Sequence, residues 1–186
     1  YGTPAAALAR SWSFTVGNYL TLPVALGTVL GSGTASQPGF RIRTHQVESG
    51  QANTDARGEN QLRGLLTDPN VADLTGAQGG FFVDPGVINF NQDAPGAVGN
   101  FTADTGYEDK PIPGIPGTTG STDNIAQEIL TYVEFPNAGL YRMGVNSDDG
   151  FKVTVAEGFA TNVVRLGIFD GGRGAADTVF FFTVAT

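Results

Sequence analysis

The sequence predicts an all-β fold, an antiparallel β-sandwich with one short helix, and three observations carry that prediction. Segments alternating polar and apolar residues recur along the chain, the period of a strand with one buried face. Between them stand 27 glycines and 10 prolines among 186 residues, well above the roughly 12% that average usage gives the pair. Only one segment has helical spacing. Strands at this density around a single helix describe two packed sheets. With 13 phenylalanines for a core, a chain of this length is expected to form one domain that buries most of its unfolded surface.

The elements follow in order. Tyr1 to Arg10 is Ala-rich without periodicity and reads as an N-terminal arm that something else must order, leaving 11–186 as the domain. Ser11 to Val16 alternates, with Trp12, Phe14 and Val16 on one face. Tyr19 to Leu30 is apolar and broken by Pro23 and Gly27, which suits one or two short strands. Phe40 to Val47 alternates again and sets Arg41, Arg43 and His45 opposite Phe40 and Ile42. From Asn53 to Thr67 the period changes. Asn53 or Thr54 can cap, Ala56, Leu62, Leu65 and Leu66 recur at helical spacing, and Asp68-Pro69 stops the run. Val71 to Gly120 reads mostly as loop, with short strands at Phe81 to Val83 and Val87 to Asn91 and a turn-dense excursion at Lys110 to Gly120. The last third is strand after strand: Ala126 to Phe135, Leu140 to Val145, Phe151 to Ala156, Val163 to Phe169 and Thr178 to Val184.

Composition excludes several classes of function. A formal charge of −8 argues against nucleic acid, which needs a clustered Lys/Arg surface. Without cysteine there is no disulfide, zinc-thiolate site or thiol catalysis. One histidine cannot build a multi-histidine metal site. No apolar run approaches the ~20 residues of a membrane-spanning helix. The chain begins without Met, consistent with a secretory leader already removed.

Two loops carry the candidate chemistry. Asn146-Ser147-Asp148-Asp149-Gly150 lies between two good strands. Successive strand side chains point to opposite faces, so adjacent carboxylates share a target only where the backbone turns sharply, and Gly150 permits that. Two Asp side chains beside Asn, Ser and free carbonyls are hard-oxygen chemistry suited to Ca²⁺; the plainer alternative is a solvated Asx-rich hairpin turn. The second loop, Phe169-Asp170-Gly171-Gly172-Arg173-Gly174-Ala175-Ala176, has glycines that let carbonyls approach a ligand, or is a flexible hairpin connection.

The run from Gly139 to Val153, GLYRMGVNSDDGFKV, resembles the central motif of the anthrax-protective-antigen-type β-sandwich family, a strand of the form G-x-Y-x-F-x-x-x-S-D-D-G followed by another strand. Met143 stands where that family usually has an aromatic. Val164 to Ala175 is similar to the family's closing strand and acidic-Gly-Gly-x-Gly-Ala loop, and Asp123 to Phe135 fits the strand before the motif. The resemblance covers the C-terminal third well and the helical region loosely. It implies that Asp148 and Asp149, an adjacent pair sometimes joined through a cis peptide, hold a Ca²⁺ ion that coordinates glycan hydroxyls. Asn146 and Asp170 join the implied metal set. Gly171, Gly172 and Arg173 would add oxygens or sugar contacts, and Asn162, like Asn146, is a candidate for the second-loop Asn ligand.

Other motifs point nowhere sharp. His45 has no partner Ser or Cys for a triad and reads as an exposed strand residue. Asp104, Glu108 and Asp109 around Tyr107 form a second cation site or simply solvated charge. Asn100-Phe101-Thr102 matches a glycosylation acceptor at near-chance frequency, and Gly31-Ser32-Gly33 is a linker-like turn without the Gly-Lys-Ser/Thr of a phosphate loop. No nucleophile, base or cofactor motif stands out. The expectation is a non-catalytic binding module, extracellular or on the cell surface, recognising carbohydrate with Ca²⁺. The alternative is a structural subunit of a bacterial surface layer, fibre or sheath, whose partners are neighbouring copies of itself. There the arm and sheet edges assemble by β-augmentation, with Phe180, Phe181 and Phe182 in the acceptor core.

Overall fold

The computed structural model describes residues 17–23, 26, 38–92, 107, 109–155 and 163–185. Ten strands and one helix make up its regular structure: β1 (Leu20–Leu22), β2 (Phe40–Gln46), α1 (Asp55–Leu62), β3 (Phe82–Asp84), β4 (Phe90–Asn91), β5 (Lys110–Pro111), β6 (Ile125–Leu130), β7 (Gly139–Ser147), β8 (Phe151–Val155), β9 (Val164–Phe169) and β10 (Ala176–Val184). The fold is all-β with one short helix. The expected arm at 1–10, the strand at 11–16 and the turn at 31–33 lie outside the described residues.

The alternation in β10 organises one sheet. β7 pairs antiparallel with β10 along its whole length, from Gly139 opposite Val184 to Ser147 opposite Ala176, and β1 joins the other edge of β10. Phe182 is 1% exposed; its ring lies 6.0 Å from that of Tyr141 and 5.6 Å from that of Phe135. On the same face Phe180 stacks on Phe151, ring centroids 6.5 Å apart. A Cβ at Gly167 would overlap the Phe180 ring, so β9 approaches β10 closely enough to require glycine. The β8–β9 pair runs antiparallel with a bulge between Val153 and Thr154.

A second sheet, in the order β3-β2-β6, buries Ile42, Thr44 and Gln46 from alternate positions of β2. Its centre is unusually polar. Gln46 donates from Nε2 to Ser121 O and Asp123 O at 2.8 and 3.0 Å, and its N–H reaches Asn70 Oδ1 at 2.9 Å. The residue pins two loops, the 121–123 segment by its side chain and Asn70 by its N–H, because buried polar groups must find partners. Two pairings depart from the expected antiparallel pattern: β1–β10 and β4–β5 are parallel. Parallel neighbours need long connections, and β1 and β10 stand at opposite ends of the described chain.

The helix is shorter than its apolar spacing predicts. Thr54 caps it, accepting the Arg57 N–H, and Gly64 ends it at φ +68°. Leu65 N–H then bonds Asn60 O at 2.8 Å and Gly64 N–H bonds Gln61 O at 3.0 Å, the two bonds of a Schellman stop. Leu65, expected on the buried face, is exposed. The buried helix residue is Gln61, whose Nε2 donates to His45 O (2.7 Å) and Asn124 O (2.8 Å), docking α1 onto β2 and the turn before β6. His45, expected to be exposed, is half-buried, since it lies where the helix meets the sheet.

Candidate functional site

The turn from β7 to β8 carries Asp148 and Asp149. Asp148 is exposed and Asp149 half-buried, and the peptide bond between them is cis. Gly150 does not have positive φ, contrary to the sharp-turn role its position suggests. A close approach demands glycine there, because a Cβ would stand 2.8 Å from Phe169 O at the end of β9. The β7–β8 turn is thereby pressed against the start of the Asp170–Gly174 loop.

Arg173 locks the two loops together. Its N–H donates to Asp149 Oδ1 at 2.9 Å, while the guanidinium donates to Ser147 O (3.0 Å), Ser147 Oγ (2.7 Å) and Thr178 Oγ1 (2.8 Å). The same group lies 4.1 Å above the Phe169 ring, a stacked cation–π contact. Arg173, expected among the ligand-binding residues, gives three of its five side-chain N–H donors to holding the loop.

The other expected site residues divide. Asp170 Oδ1 accepts the Asp55 N–H at 2.7 Å, setting a carboxylate at the positive end of α1. Gly172 lines the gap beside Asp149, where a Cβ would lie 3.5 Å from Asp149 Oδ1 and 3.3 Å from Asn53 Nδ2, whereas a Cβ at Gly171 would meet nothing within 4 Å. Asn146 is not brought to the pair. It alternates with Ser147 along β7 and donates across the sheet to Asp177 Oδ1 at 2.8 Å. Asn162, Asp104, Glu108 and the Asn100–Thr102 acceptor lie outside the described residues. Asp109 is buried and accepts Asn89 Nδ2 and Asn91 Nδ2 at 2.8 and 3.2 Å, so this carboxylate is not solvated charge.

Sequence reasoning missed the first two turns of α1. Asn53 faces Gly172, Asp55 meets Asp170, and Lys152 of β8 bridges Asp55 Oδ2 (3.1 Å) and Glu59. Arg57, whose pKa burial lowers and the Asp149 charge supports, donates to Ala52 O and Gln61 Oε1. The available signal was the capping motif at Asn53-Thr54, which says where a helix starts and nothing about its neighbour 115 positions away.

Electrostatics leave this corner short of positive charge. Asp55, Glu59, Asp148, Asp149 and Asp170 stand beside Arg57, Arg63, Lys152 and Arg173, five carboxylates to four cations. The Asp148 carboxyl is held above its ordinary range by loss of hydration, by the Asp149 charge and by a hydrogen bond with Asp149, against a backbone bond from Ala175 and the charge of Arg173. Adjacent carboxylates whose charges oppose each other suit a divalent cation. Among the described residues no three His, Cys, Asp or Glu side chains converge in a metal-holding group. A cation here would complete its shell with amide and main-chain oxygens, which Ca²⁺ accepts. A comparison with protein-family models, curated proteins and solved structures finds no match.

Proposed function

We propose that the chain is a non-catalytic, extracellular binding module that recognises carbohydrate through a Ca²⁺ ion held by Asp148 and Asp149. The observation that carries the reading is a pair of adjacent carboxylates on an exposed turn, in a corner with five carboxylates to four cations, where loss of hydration and the Asp149 charge hold the Asp148 carboxyl above its ordinary range. Bound Ca²⁺ would supply open coordination positions for sugar hydroxyls. Arg173 orients Asp149, and Asp170 ties the second loop to α1. Differential scanning fluorimetry with Ca²⁺ and with EDTA tests the metal half of the reading. Ca²⁺ raises the melting temperature of the native chain and leaves Asp149→Ala unmoved; equal melting with and without Ca²⁺ removes it. Retention on immobilised glycans, with Ca²⁺ and with EDTA, tests the sugar half.

The outer face of the β1-β10-β7 sheet favours a second reading, a self-assembling structural subunit. Val179 and Phe181 are exposed beside Leu140, and Tyr19 reaches Phe181 at 5.8 Å, an apolar patch that another copy would cover. Light scattering across a concentration series decides it, since a strict monomer counts against assembly.

A further inference from the structure

Sheet edges invite pairing with another chain unless they are short, bulged, charged or covered, and most edges among the described strands are blunted in one of these ways. β1 and β3 are three residues long, and β4 and β5 two. The β8–β9 pair carries a bulge, Lys152 and Arg165. β6 carries Glu128 and meets α1, where Arg57 donates to Ile125 O. β7 has none of these devices. It is the outer strand of its sheet and runs nine residues against β10 without a bulge or a proline, with Arg142 as its one charge. None of the nine is buried, and among the described residues no loop backbone bonds to the free side. Arg173 takes Ser147 O, so the open stretch is 140–146. Alternate residues there direct N–H and C=O away from β10, a row of donors and acceptors that templates another extended strand.

Resting on the self-assembly reading, we propose that this strand is β7 of a second copy, paired antiparallel about a two-fold axis at Met143. The surface is the main-chain edge of the sheet, distinct from its outer apolar face. The register uses the whole open stretch. Met143 meets the partner's Met143, Leu140 meets the partner's Asn146, and Tyr141 meets the partner's Val145, a favourable aromatic–β-branched pair. Arg142, which makes no ion pair within its own chain among the described residues, lies opposite the partner's Gly144. Next to that position stands the partner's Asn146–Asp177 pair, whose carboxylate complements the Arg142 charge. Other registers fit less well. A slip of one residue turns one copy's inner face outward. A slip of two shortens the seam in either direction; one way it sets Arg142 against itself, an unfavourable like-charge contact, and the other way it runs Leu140 into the Asp148 turn. The pairing joins the two three-stranded sheets into one and sets the two Asp148–Asp149 turns at opposite ends of the seam, about 30 Å apart. Whatever one turn binds, the dimer presents the site twice.

The chain has no cysteine, so single introduced thiols report the register. Sedimentation of the native chain should show a dimer at rising concentration. Met143→Cys sets two thiols facing each other across the axis, where antiparallel strands hold Cα atoms about 4.5 to 5.5 Å apart, within disulfide range. Mild oxidation at micromolar concentration should link it on the order of a hundredfold faster than Leu140→Cys, the ratio of an effective millimolar to a bulk concentration. Leu140 is exposed, but its partner position is 146. A mixture of Leu140→Cys and Asn146→Cys chains should therefore link as fast as Met143→Cys, and it leaves the inner-face packing of β7 untouched. A native dimer in which neither Met143→Cys nor the mixture links would overturn the inference and leave assembly through the outer face standing. Equally fast linking of Leu140→Cys alone would overturn it too, since the thiols would then be reporting some other contact. A native chain that stays monomeric at every concentration removes the assembly reading, and this inference with it.

Discussion

Arg173 holds Asp149 by its backbone and Ser147 by its side chain: the N–H meets Asp149 Oδ1 at 2.9 Å while the guanidinium grips Ser147 O and Oγ at 3.0 and 2.7 Å. The residue therefore spans the acidic turn, taking hold of it on either side of Asp148. The Phe169 ring beneath the guanidinium and Thr178 beside it fix the fork's direction. An acidic pair on an exposed turn would otherwise swing apart under its own repulsion.

Arg173→Lys keeps the charge and the backbone donor but loses the planar fork and the stack. Several charge-assisted hydrogen bonds and a half-buried cation–π contact disappear, so a loss of about 2 kcal/mol is expected. Urea unfolding measures it as a lower midpoint at unchanged slope. A native midpoint would mean that the clamp is incidental.

The strands were largely legible because one buried face leaves a period of two. β2 and β7 to β10 fall within about two residues of the alternation in Phe40–Val47 and in the last third, a normal boundary error. The helix was overextended because Leu65 and Leu66 continue its spacing, whereas the Gly64 stop decides its end. At the site, the Asp148–Asp149 turn and the Asp170–Gly174 loop do stand side by side. Both are contiguous motifs whose flanking strands bring them together. Asn53, Asp55 and Lys152 were invisible, since contacts between residues some hundred positions apart leave no local pattern. Gln46 and Gln61 escaped for another reason: apolar periodicity cannot flag a core residue that is polar.

Gln61→Ala tests that polar core. Its Nε2 serves His45 O and Asn124 O, its Oε1 takes Arg57, and the residue is 0% exposed. Truncation removes three buried hydrogen bonds and opens a void, which together cost about 3 kcal/mol. Leu65→Ala, by contrast, changes an exposed side chain and should stay within about 0.5 kcal/mol. Chemical denaturation of the two variants should rank them in that order; a reversed ranking would sink this account of how α1 docks.

Gly117→Ala tests the close approach beside Gln46. A Cβ on Gly117 would overlap both Gln46 Oε1 and Val71 O. Neither can retreat freely: Gln46 is anchored through Nε2 to Ser121 O and Asp123 O, and Val71 O accepts Thr118 N–H at 2.8 Å. Overpacking against fixed atoms costs about 3 kcal/mol. Calorimetry should show a clear drop in melting temperature, and a native value would mean that the 113–121 turn shifts at no cost.

His45 gives the fold a pH dependence with a definite sign. Burial, then the nearby Arg43 charge, hold its pKa below the ordinary 6.5. In the window between that lowered value and 6.5 the unfolded chain binds more protons than the folded one, so stability rises with pH. Read downward, stability is full above about pH 6.5 and is lost as pH falls toward the folded value. Asp84 acts in a separate, more acidic window. Burial alone would raise its pKa, but the Lys110 ion pair and the Gly86 N–H outweigh it and hold the carboxyl below 3.8. Its contribution is therefore present above the ordinary carboxylate value and lost as pH falls through the lowered one. Urea midpoints at pH 7.5 and pH 5.5 should consequently fall for the native chain and fall less for His45→Gln. Parallel declines in both proteins would show that another group carries the effect.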